Sequence, residues 1–322
     1  MRTLIADQFE QSGRDGLASL GCEVLFEPAL TPDALADAVA RLDPMVMVVR
    51  GKKVKGAALG AGRSLKLVIR AGAGYDNIDL AAASQRGIAV CNCPGMNAVA
   101  VAELVMALLL CCDRRVPDQT RELRAGAWNK KEYSRARGLK GLTLGIVGVG
   151  AIGREVIRRA RAFDMTCLAH SLNMTPQRAA DLGVGHGGSS RADLLSLAGA
   201  CDAVSLHVAA NPQSQRMCDA EFFAALRPGA YFINTSRGSV VDEAALAHAV
   251  TTKGVRAGLD VFADEPAEGT AAWTSPLAAL PGVYTTHHVG ASTDQAQNAV
   301  ADEVVRIVRV WRQTGAFENR VN

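Results

Sequence analysis

Two adjacent histidines, His287 and His288, stand directly before Val289 and Gly290 at the end of a short apolar run. Histidine is the side chain whose ordinary pKa lets it exchange a proton near neutrality, and a neighbouring carboxylate would favour its protonated form and fix its tautomer. Arg237 follows another apolar run, Ala230–Asn234, where a guanidinium charged at any working pH can hold a carboxylate through two bonds. Spacing alone also permits an ion pair with Asp242 or Glu243. Asp260 ends a further run, placed to accept from a carboxamide or to pair with a neighbour. Glu265 precedes Pro266, which holds its backbone extended, and by itself it reads equally as a solvated loop acid. The paired histidines lack the i, i+4 helical spacing and a nearby third ligand, so no metal site is expected.

The elements that must position these groups are legible around Gly148, Gly150 and Gly153, spaced G-x-G-x-x-G. A short β-branched run, Thr143–Val147, precedes them, and Arg154–Ala162 continues as helix. In that context the first glycine allows a tight turn and the second admits a pyrophosphate to the backbone. The third lets helix and strand pack closely, with the helix N-terminus attracting the anion. A second α/β series follows, with strands expected at Thr166–Ala169, Ala203–Val208, Ala230–Asn234, Ala257–Val261 and Val283–Thr286. Helix starts are written at Thr175–Pro176 and at Ser190, with Asp193 three residues on. An earlier series has strands at Thr3–Ala6, Glu23–Phe26, Met45–Val49, Lys66–Ile69 and Ile88–Cys91. There Pro32–Leu42 reads as a helix capped by Thr31. Asn97–Arg124 reads as one long helical stretch broken at Pro117 and ended by Gly126, and a last helix spans 292–314. Alternation of this kind predicts an α/β protein with parallel sheets. Ligands of such sheets bind beyond the strands' carboxyl ends, which places Arg50–Gly51, Arg70–Gly74, Thr235–Gly238 and His287–Gly290 at the expected site, a cleft between two domains.

Composition excludes several classes. The 322 residues, 49% hydrophobic and 21% charged, describe a globular chain of about two domains with sizeable cores. A formal charge of +3 gives no ground for nucleic-acid or membrane partners. The N-terminus reads as a first strand rather than a signal peptide, and the apolar run Ala98–Cys112 contains Glu103 and is too short for a span. Eight cysteines without a C-x-x-C pair read as buried hydrophobes in a reducing cytoplasm, with no structural metal.

Gly145–Gly153, Asn234–Asp242, Ala257–Pro266 and His288–Ser292 together resemble the D-isomer-specific 2-hydroxyacid dehydrogenases. Residues 70–80, 92–104 and the long loop after Trp128 resemble the phosphoglycerate dehydrogenase branch. The resemblance covers nearly the whole chain and implies two doubly wound parallel-sheet domains. A Rossmann cofactor domain, residues 98–290, would be inserted into a flavodoxin-like substrate domain formed by 1–97 and 291–322. It implies reversible hydride transfer between NAD or NADP and a small 2-hydroxy acid. It assigns Arg237 to the substrate carboxylate and carbonyl, His288 to the proton and Glu265 to orienting His288, which is preferred over His287 because it directly precedes the hydrophobic-Gly-Ala-Ser run. Gly148, Gly150, Ala151, Ile152 and Gly153 would hold the pyrophosphate. Ser171 would face the ribose, and His207, Thr235, Ser236, Asp260 and Gly290 would lie on the nicotinamide side. Arg50, Gly51, Arg70, Ala73 and Gly74 would bind substrate. The apolar stretch from Asn97 and the basic loop after Trp128 are expected to form a homodimer contact.

Three departures from the family pattern stand out. Ser171 occupies the place of the usual acidic residue, which removes the partner of a ribose 2′-hydroxyl and the repulsion of a 2′-phosphate. The segment after His207 lacks the usual proline-leucine-threonine pattern. The chain ends at Asn322, so a short form without a C-terminal regulatory domain is expected. 3-Phosphoglycerate is the favoured substrate, since Arg50, Lys52, Lys53, Arg70, Lys130, Lys131 and Arg135 offer cations for a phosphate; glyoxylate or hydroxypyruvate is the alternative. A dinucleotide-sensing corepressor-like protein is the reading from another class, and the compact chain favours an enzyme. A formate-dehydrogenase-like reading is weaker, because that chemistry needs no acid-base pair.

Overall fold

A computed structural model describes residues 1–266 and 270–322. The chain divides into two compact units, one of residues 1–97 and 291–322, the other of residues 98–290.

In the first unit, β1 (Arg2–Ile5), β2 (Glu23–Phe26), β3 (Val46–Val49), β4 (Leu67–Arg70) and β5 (Ala89–Asn92) form a parallel sheet of order β2-β1-β3-β4-β5. This flavodoxin-like order changes direction between β1 and β3. Strands buried on both faces need apolar residues at every position, and β3 and β5 are buried throughout. Ile5, Val48 and Ile69 face one way, onto the C-terminal helix Asp294–Thr314 through Val304, Ile307 and Val308. Leu4, Met47 and Val68 face the other way, onto Leu35, Val39 and Leu59. The connecting helices are α1 (Gln11–Ser19), α2 (Leu35–Leu42), α3 (Gly56–Ala61) and α4 (Leu80–Gln85). Helix α2 starts later than expected: the Thr31 hydroxyl accepts from Ala34 N at 3.3 Å and caps a turn that leads into the helix.

The second unit opens with α5 (Ala98–Arg114), α6 (Val116–Arg124) and α7 (Lys130–Tyr133). The break between α5 and α6 lies at Arg115, in the left-handed region with φ +54°, and Pro117 sits inside the first turn of α6. Proline lacks only an N–H that a first turn leaves unpaired, while it disfavours continuation of the helix before it. Arg115 is held in place by Asp118 at 3.3 Å and Glu132 at 2.6 Å. Helix α5 is apolar because its own unit surrounds it, with Ala102, Val105, Met106 and Leu109 packed against Leu144, Ile146 and Val156. The large apolar side chains left exposed here are Val99 on α5, Val116 and Leu123 on α6, and Trp128 in the loop after it.

There follow β6 (Thr143–Val147), α8 (Ala151–Ala162), β7 (Thr166–His170), α9 (Pro176–Asp181), β8 (Gly185–His186) and α10 (Arg191–Ala200). Then come β9 (Ala203–Leu206), α11 (Ala220–Ala225), β10 (Tyr231–Asn234), α12 (Glu243–Lys253), β11 (Arg256–Leu259) and β12 (Val283–Thr285). Among the described residues these strands form a parallel sheet of order β12-β11-β10-β9-β6-β7-β8. Its direction changes between β6 and β9, the switch point of a Rossmann sheet, where ligands of such sheets bind. Val208 and Asp260, expected as strand residues, lie beyond their strands. Ser190 and Asp193 form the capping box that opens α10. No helix is long and apolar enough to cross a membrane among the described residues, and all eight cysteines are free thiols.

Candidate active site

The β6–α8 turn is shaped by its glycines. Gly148 has φ +95°, and a Cβ there would meet the His207 carbonyl oxygen at 2.5 Å. A Cβ on Gly153 would overlap the Gly148 carbonyl, whereas Gly150 faces open space with nothing within 4 Å. Helix α8 starts directly after Gly150, three residues earlier than expected, so Ala151, Ile152 and Gly153 form its first turn. Their amide groups have no partner within the helix, and the turn is a concave donor surface suited to a pyrophosphate.

Across the switch point, β9 ends at Leu206 and delivers His207. Both ring nitrogens of His207 are buried without a partner among the described residues, and burial pushes its pKa down to about 3. The Thr235 hydroxyl after β10 is likewise buried and unpartnered. Orphaned polar atoms beside a glycine turn open at Gly150 fit a bound dinucleotide, which would restore their hydrogen bonds. Ser171, directly after β7, keeps its backbone in a turn, with Met174 N donating to its carbonyl at 2.8 Å.

The β10–α12 loop is built on Asn234, whose role the sequence reading missed. Its Oδ1 accepts from Ser236 N and Ser236 Oγ at 3.0 and 2.7 Å, and its Nδ2 donates to the Arg237 carbonyl at 2.9 Å. A polar residue ending an otherwise apolar strand was the available signal. Arg237 donates from Nη1 to the Ser236 carbonyl at 2.7 Å. Of its two suggested structural partners, Asp242 pairs with Arg216 and caps α12, and Glu243 accepts from Ala263 N at 2.7 Å. A Cβ on Gly238 would overlap the Phe262 carbonyl, so glycine lets this loop lie against the segment carrying Glu265.

Glu265 and His288, 23 residues apart, are brought together. His288 Nδ1 lies 2.6 Å from Glu265 Oε2. A carboxylate only accepts, so Nδ1 carries the hydrogen and Nε2 is left for chemistry. The other Glu265 oxygen accepts from Phe262 N at 2.8 Å. Burial raises the Glu265 carboxyl, but the hydrogen bonds from His288 and Phe262 and the charges of His288 and Arg237 outweigh it, so its pKa is lowered. His287 is exposed, and no hydrogen bond from its side chain is found among the described residues.

His288 itself has φ +52°, uncommon for a side-chain-bearing residue. Asp260 holds the loop that imposes it. Its Oδ1 accepts from Thr286 Oγ1 at 2.6 Å and Val289 N at 2.9 Å, and its Oδ2 accepts from Gly290 N at 2.9 Å. Asp260 is only 2% exposed, and these bonds account for its burial. Expected on the nicotinamide side, it spends both oxygens on the His288 loop.

Taken by itself, the first unit gathers the substrate residues expected there at the ends of β3 and β4. Arg50 N and Lys52 N donate to Asp7 Oδ2 at 2.6 and 3.2 Å, which shapes the Arg50–Gly51 turn. The Arg50 guanidinium is held by Gln297. Lys52 is not an available cation: its ammonium is turned inward to Asp7, at 3.5 Å, and to the Leu30 carbonyl. After β4, Gly72 N turns back to the Arg70 carbonyl at 2.8 Å, and Asn92 Nδ2 donates to the Ala73 carbonyl at 2.6 Å, leaving Gly74 next in the turn. No group of three or more His, Cys, Asp or Glu side chains suited to a metal ion occurs among the described residues.

Residues 106–290 match the family model described as D-isomer specific 2-hydroxyacid dehydrogenase, NAD binding domain. The chain is also 39% identical over 310 residues to D-3-phosphoglycerate dehydrogenase of Mycobacterium tuberculosis, covering 95% of this chain and 56% of the relative. The chain belongs to the D-isomer-specific 2-hydroxyacid dehydrogenase family. This family member spans about half the length of the phosphoglycerate dehydrogenases it matches. It is 38% identical over 288 residues to hydroxypyruvate reductase of Thermotoga maritima, covering 89% of each chain. A solved structure, an NADPH-dependent glyoxylate/hydroxypyruvate reductase of Sinorhizobium meliloti in complex with NADP and malonate, superposes with a TM-score of 0.81 at 28% identity, covering 99% of this chain and 96% of that one.

Proposed function

We propose that the protein is a nicotinamide-dependent dehydrogenase that interconverts a small D-2-hydroxy acid and its 2-oxo acid. The contact between His288 Nδ1 and Glu265 Oε2, 2.6 Å long, carries this reading, because it leaves Nε2 as a proton donor and acceptor beside a fixed anion. When bound, the dinucleotide exchanges a hydride with the substrate carbon. His288 delivers a proton to the carbonyl oxygen in reduction and takes it from the hydroxyl in oxidation. Glu265 favours the protonated imidazole. Arg237 holds the substrate carboxylate and polarises the carbonyl. Gly148, Gly150, Ala151, Ile152 and Gly153 hold the pyrophosphate; His207, Thr235, Ser236 and Gly290 serve the nicotinamide side, and Asp260 supports them by fixing the His288 loop. Ser171 leaves the ribose position without an acid, so both NAD and NADP are accepted.

For the substrate, 3-phosphoglycerate with its oxo acid is favoured, with Arg50 and Arg70 as cations for the phosphate and the amides of Gly51, Ala73 and Gly74 for the carboxylate. The relatives named phosphoglycerate dehydrogenase support this. Glyoxylate or hydroxypyruvate is the second reading, favoured by a hydroxypyruvate reductase that aligns over 89% of both chains. A panel of 2-oxo acids assayed with both reduced cofactors tests the function. Arg50→Ala should lower activity on the phosphorylated acid steeply and change activity on glyoxylate little; equal losses, or a wild-type preference for glyoxylate, overturn the phosphate assignment. We also propose a homodimer through the exposed apolar residues of α6 and the loop after it, in a reducing compartment, the cytoplasm, that suits eight free thiols.

A further inference from the structure

The guanidinium of Arg178 bridges two loops at the carboxyl ends of β6 and β7. Its Nη2 donates to the Val149 carbonyl at 3.4 Å, between the first two glycines of the dinucleotide turn, and its Nη1 donates to the Asn173 carbonyl at 3.3 Å, in the loop that Ser171 opens. Both contacts are long and both partners are neutral. Arg178 is half-buried, yet no carboxylate lies within ion-pair distance of it among the described residues. A partly desolvated cation ordinarily acquires an anion. Asp181, one turn on along α9, accepts from Gln177 at 2.8 Å instead.

The surroundings state which anion fits. An acid after β7 would compete for Arg178 and repel an anion at the same place; Ser171 stands there, and its hydroxyl makes no hydrogen bond among the described residues. The adenosine ribose of a dinucleotide lies beyond this strand end, where an acid accepts from the 2′-hydroxyl or an arginine receives a 2′-phosphate. An arginine directly after the strand would be the local sequence signal, and here Leu172, Asn173 and Met174 follow instead. Helix α9 begins only at Pro176, capped by Thr175, and its first turn brings Arg178 back over the glycine turn.

We infer that Arg178, with the Ser171 hydroxyl, is the receptor for a ribose 2′-phosphate, so that this chain accepts both dinucleotides but binds the 2′-phosphorylated one more tightly. The guanidinium exchanges two long bonds to carbonyls for charge-assisted bonds to phosphate oxygens, and Ser171 adds a neutral donor. This inference rests on the dinucleotide-binding reading above and goes beyond it in naming the discriminating side chain.

Calorimetry on the full chain tests it without turnover, using NADP, NAD, adenosine 2′,5′-bisphosphate and adenosine 5′-monophosphate. The wild type should bind NADP about 10-fold or more tighter than NAD, and the bisphosphate tighter than the monophosphate by a similar factor. Arg178→Ala should remove both preferences while its NAD affinity stays within about 2-fold of the wild type. Arg178→Lys should keep part of them, and Ser171→Asp should reverse them. The NAD titration guards against misfolding, because an unfolded variant binds neither dinucleotide. Preferences that survive in Arg178→Ala, or no preference in the wild type, overturn the assignment while leaving dinucleotide binding intact. A wild type that binds none of the four overturns the underlying reading as well.

Discussion

Replacing Glu265 by glutamine removes the charge beside His288 and one of two acceptor oxygens, so an amide that keeps the bond from Phe262 N turns its NH2 toward His288 Nδ1. Glutamine keeps an oxygen that can accept from Phe262 N, so the loop retains its support. Two unit charges 4 Å apart attract by about 1 kcal/mol in water and by about 4 kcal/mol at an effective dielectric constant of 20. The His288 and Glu265 side chains are 46% and 30% exposed, so solvent screens the pair and the value lies between those limits. At about 1.4 kcal/mol per pH unit, an attraction between those limits is large enough to move a pH profile measurably. The direction follows from charge. Reduction needs a protonated imidazole and declines as pH rises; without the anion the imidazole gives up its proton earlier, so the alkaline limb moves to lower pH. Oxidation needs the neutral ring, so its acid limb moves the same way, and low-pH oxidation gains. The assay is kcat/KM against pH in both directions, on a 2-oxo acid and its 2-hydroxy acid. Limbs that stay in place, or move upward, would show that Glu265 does not govern the proton on His288. A uniform loss at every pH would point to a displaced loop instead.

His288→Ala should lower turnover about 100-fold or more, the usual size of a general acid-base effect, and His287→Ala far less; the reverse order in steady-state rates would show the wrong imidazole was chosen. Asp260→Ala should lower the unfolding free energy in urea by about 3 kcal/mol or more, since three donors lose their acceptor, and a loss under about 1 kcal/mol refutes the clamp. His207 has a folded pKa of about 3 against an ordinary 6.5, so the unfolded chain takes up a proton that the folded one refuses. The stability it contributes is present above pH 6.5 and is lost as pH falls toward 3, by up to about 1.4 kcal/mol per unit. His207→Gln should flatten that slope relative to the wild type, and parallel denaturation curves would exclude the effect. Light scattering at micromolar concentration should return twice the chain mass of 33.8 kDa, and the single-chain value refutes the dimer.

Elements specified locally were legible in the sequence. Glu23–Phe26 and Thr143–Val147 match their observed limits, and the Ser190–Asp193 capping box and the Thr175 cap read directly from residue types at fixed offsets. Errors arose where distant contacts decide. Pro117 suggested a break at itself, but the turn lies at Arg115, which Asp118 and Glu132 hold. The two-residue strand β8 carries too little pattern to be seen. Lys52 looked like an available cation for a phosphate because nothing nearby in sequence shows Asp7 or the Leu30 carbonyl. Asp260 and Asn234 could be read as polar residues at strand ends, but not that their oxygens are consumed in shaping the loops of His288 and Arg237. Such roles depend on geometry between segments that spacing does not encode.

The chain passes between its two units only after Asn97 and after Gly290. The second passage falls two residues beyond His288, and Gly290 N, the last amide before it, is fastened to Asp260. The His288–Glu265 pair therefore lies within one contiguous insert that also carries the glycine turn, while Arg50 and Arg70 belong to the flanking segments. In evolutionary terms the molecule is a cassette in a frame. If the flanks choose the acid, as proposed, exchanging them at the two seams would change that choice and leave the His288–Glu265 pair intact.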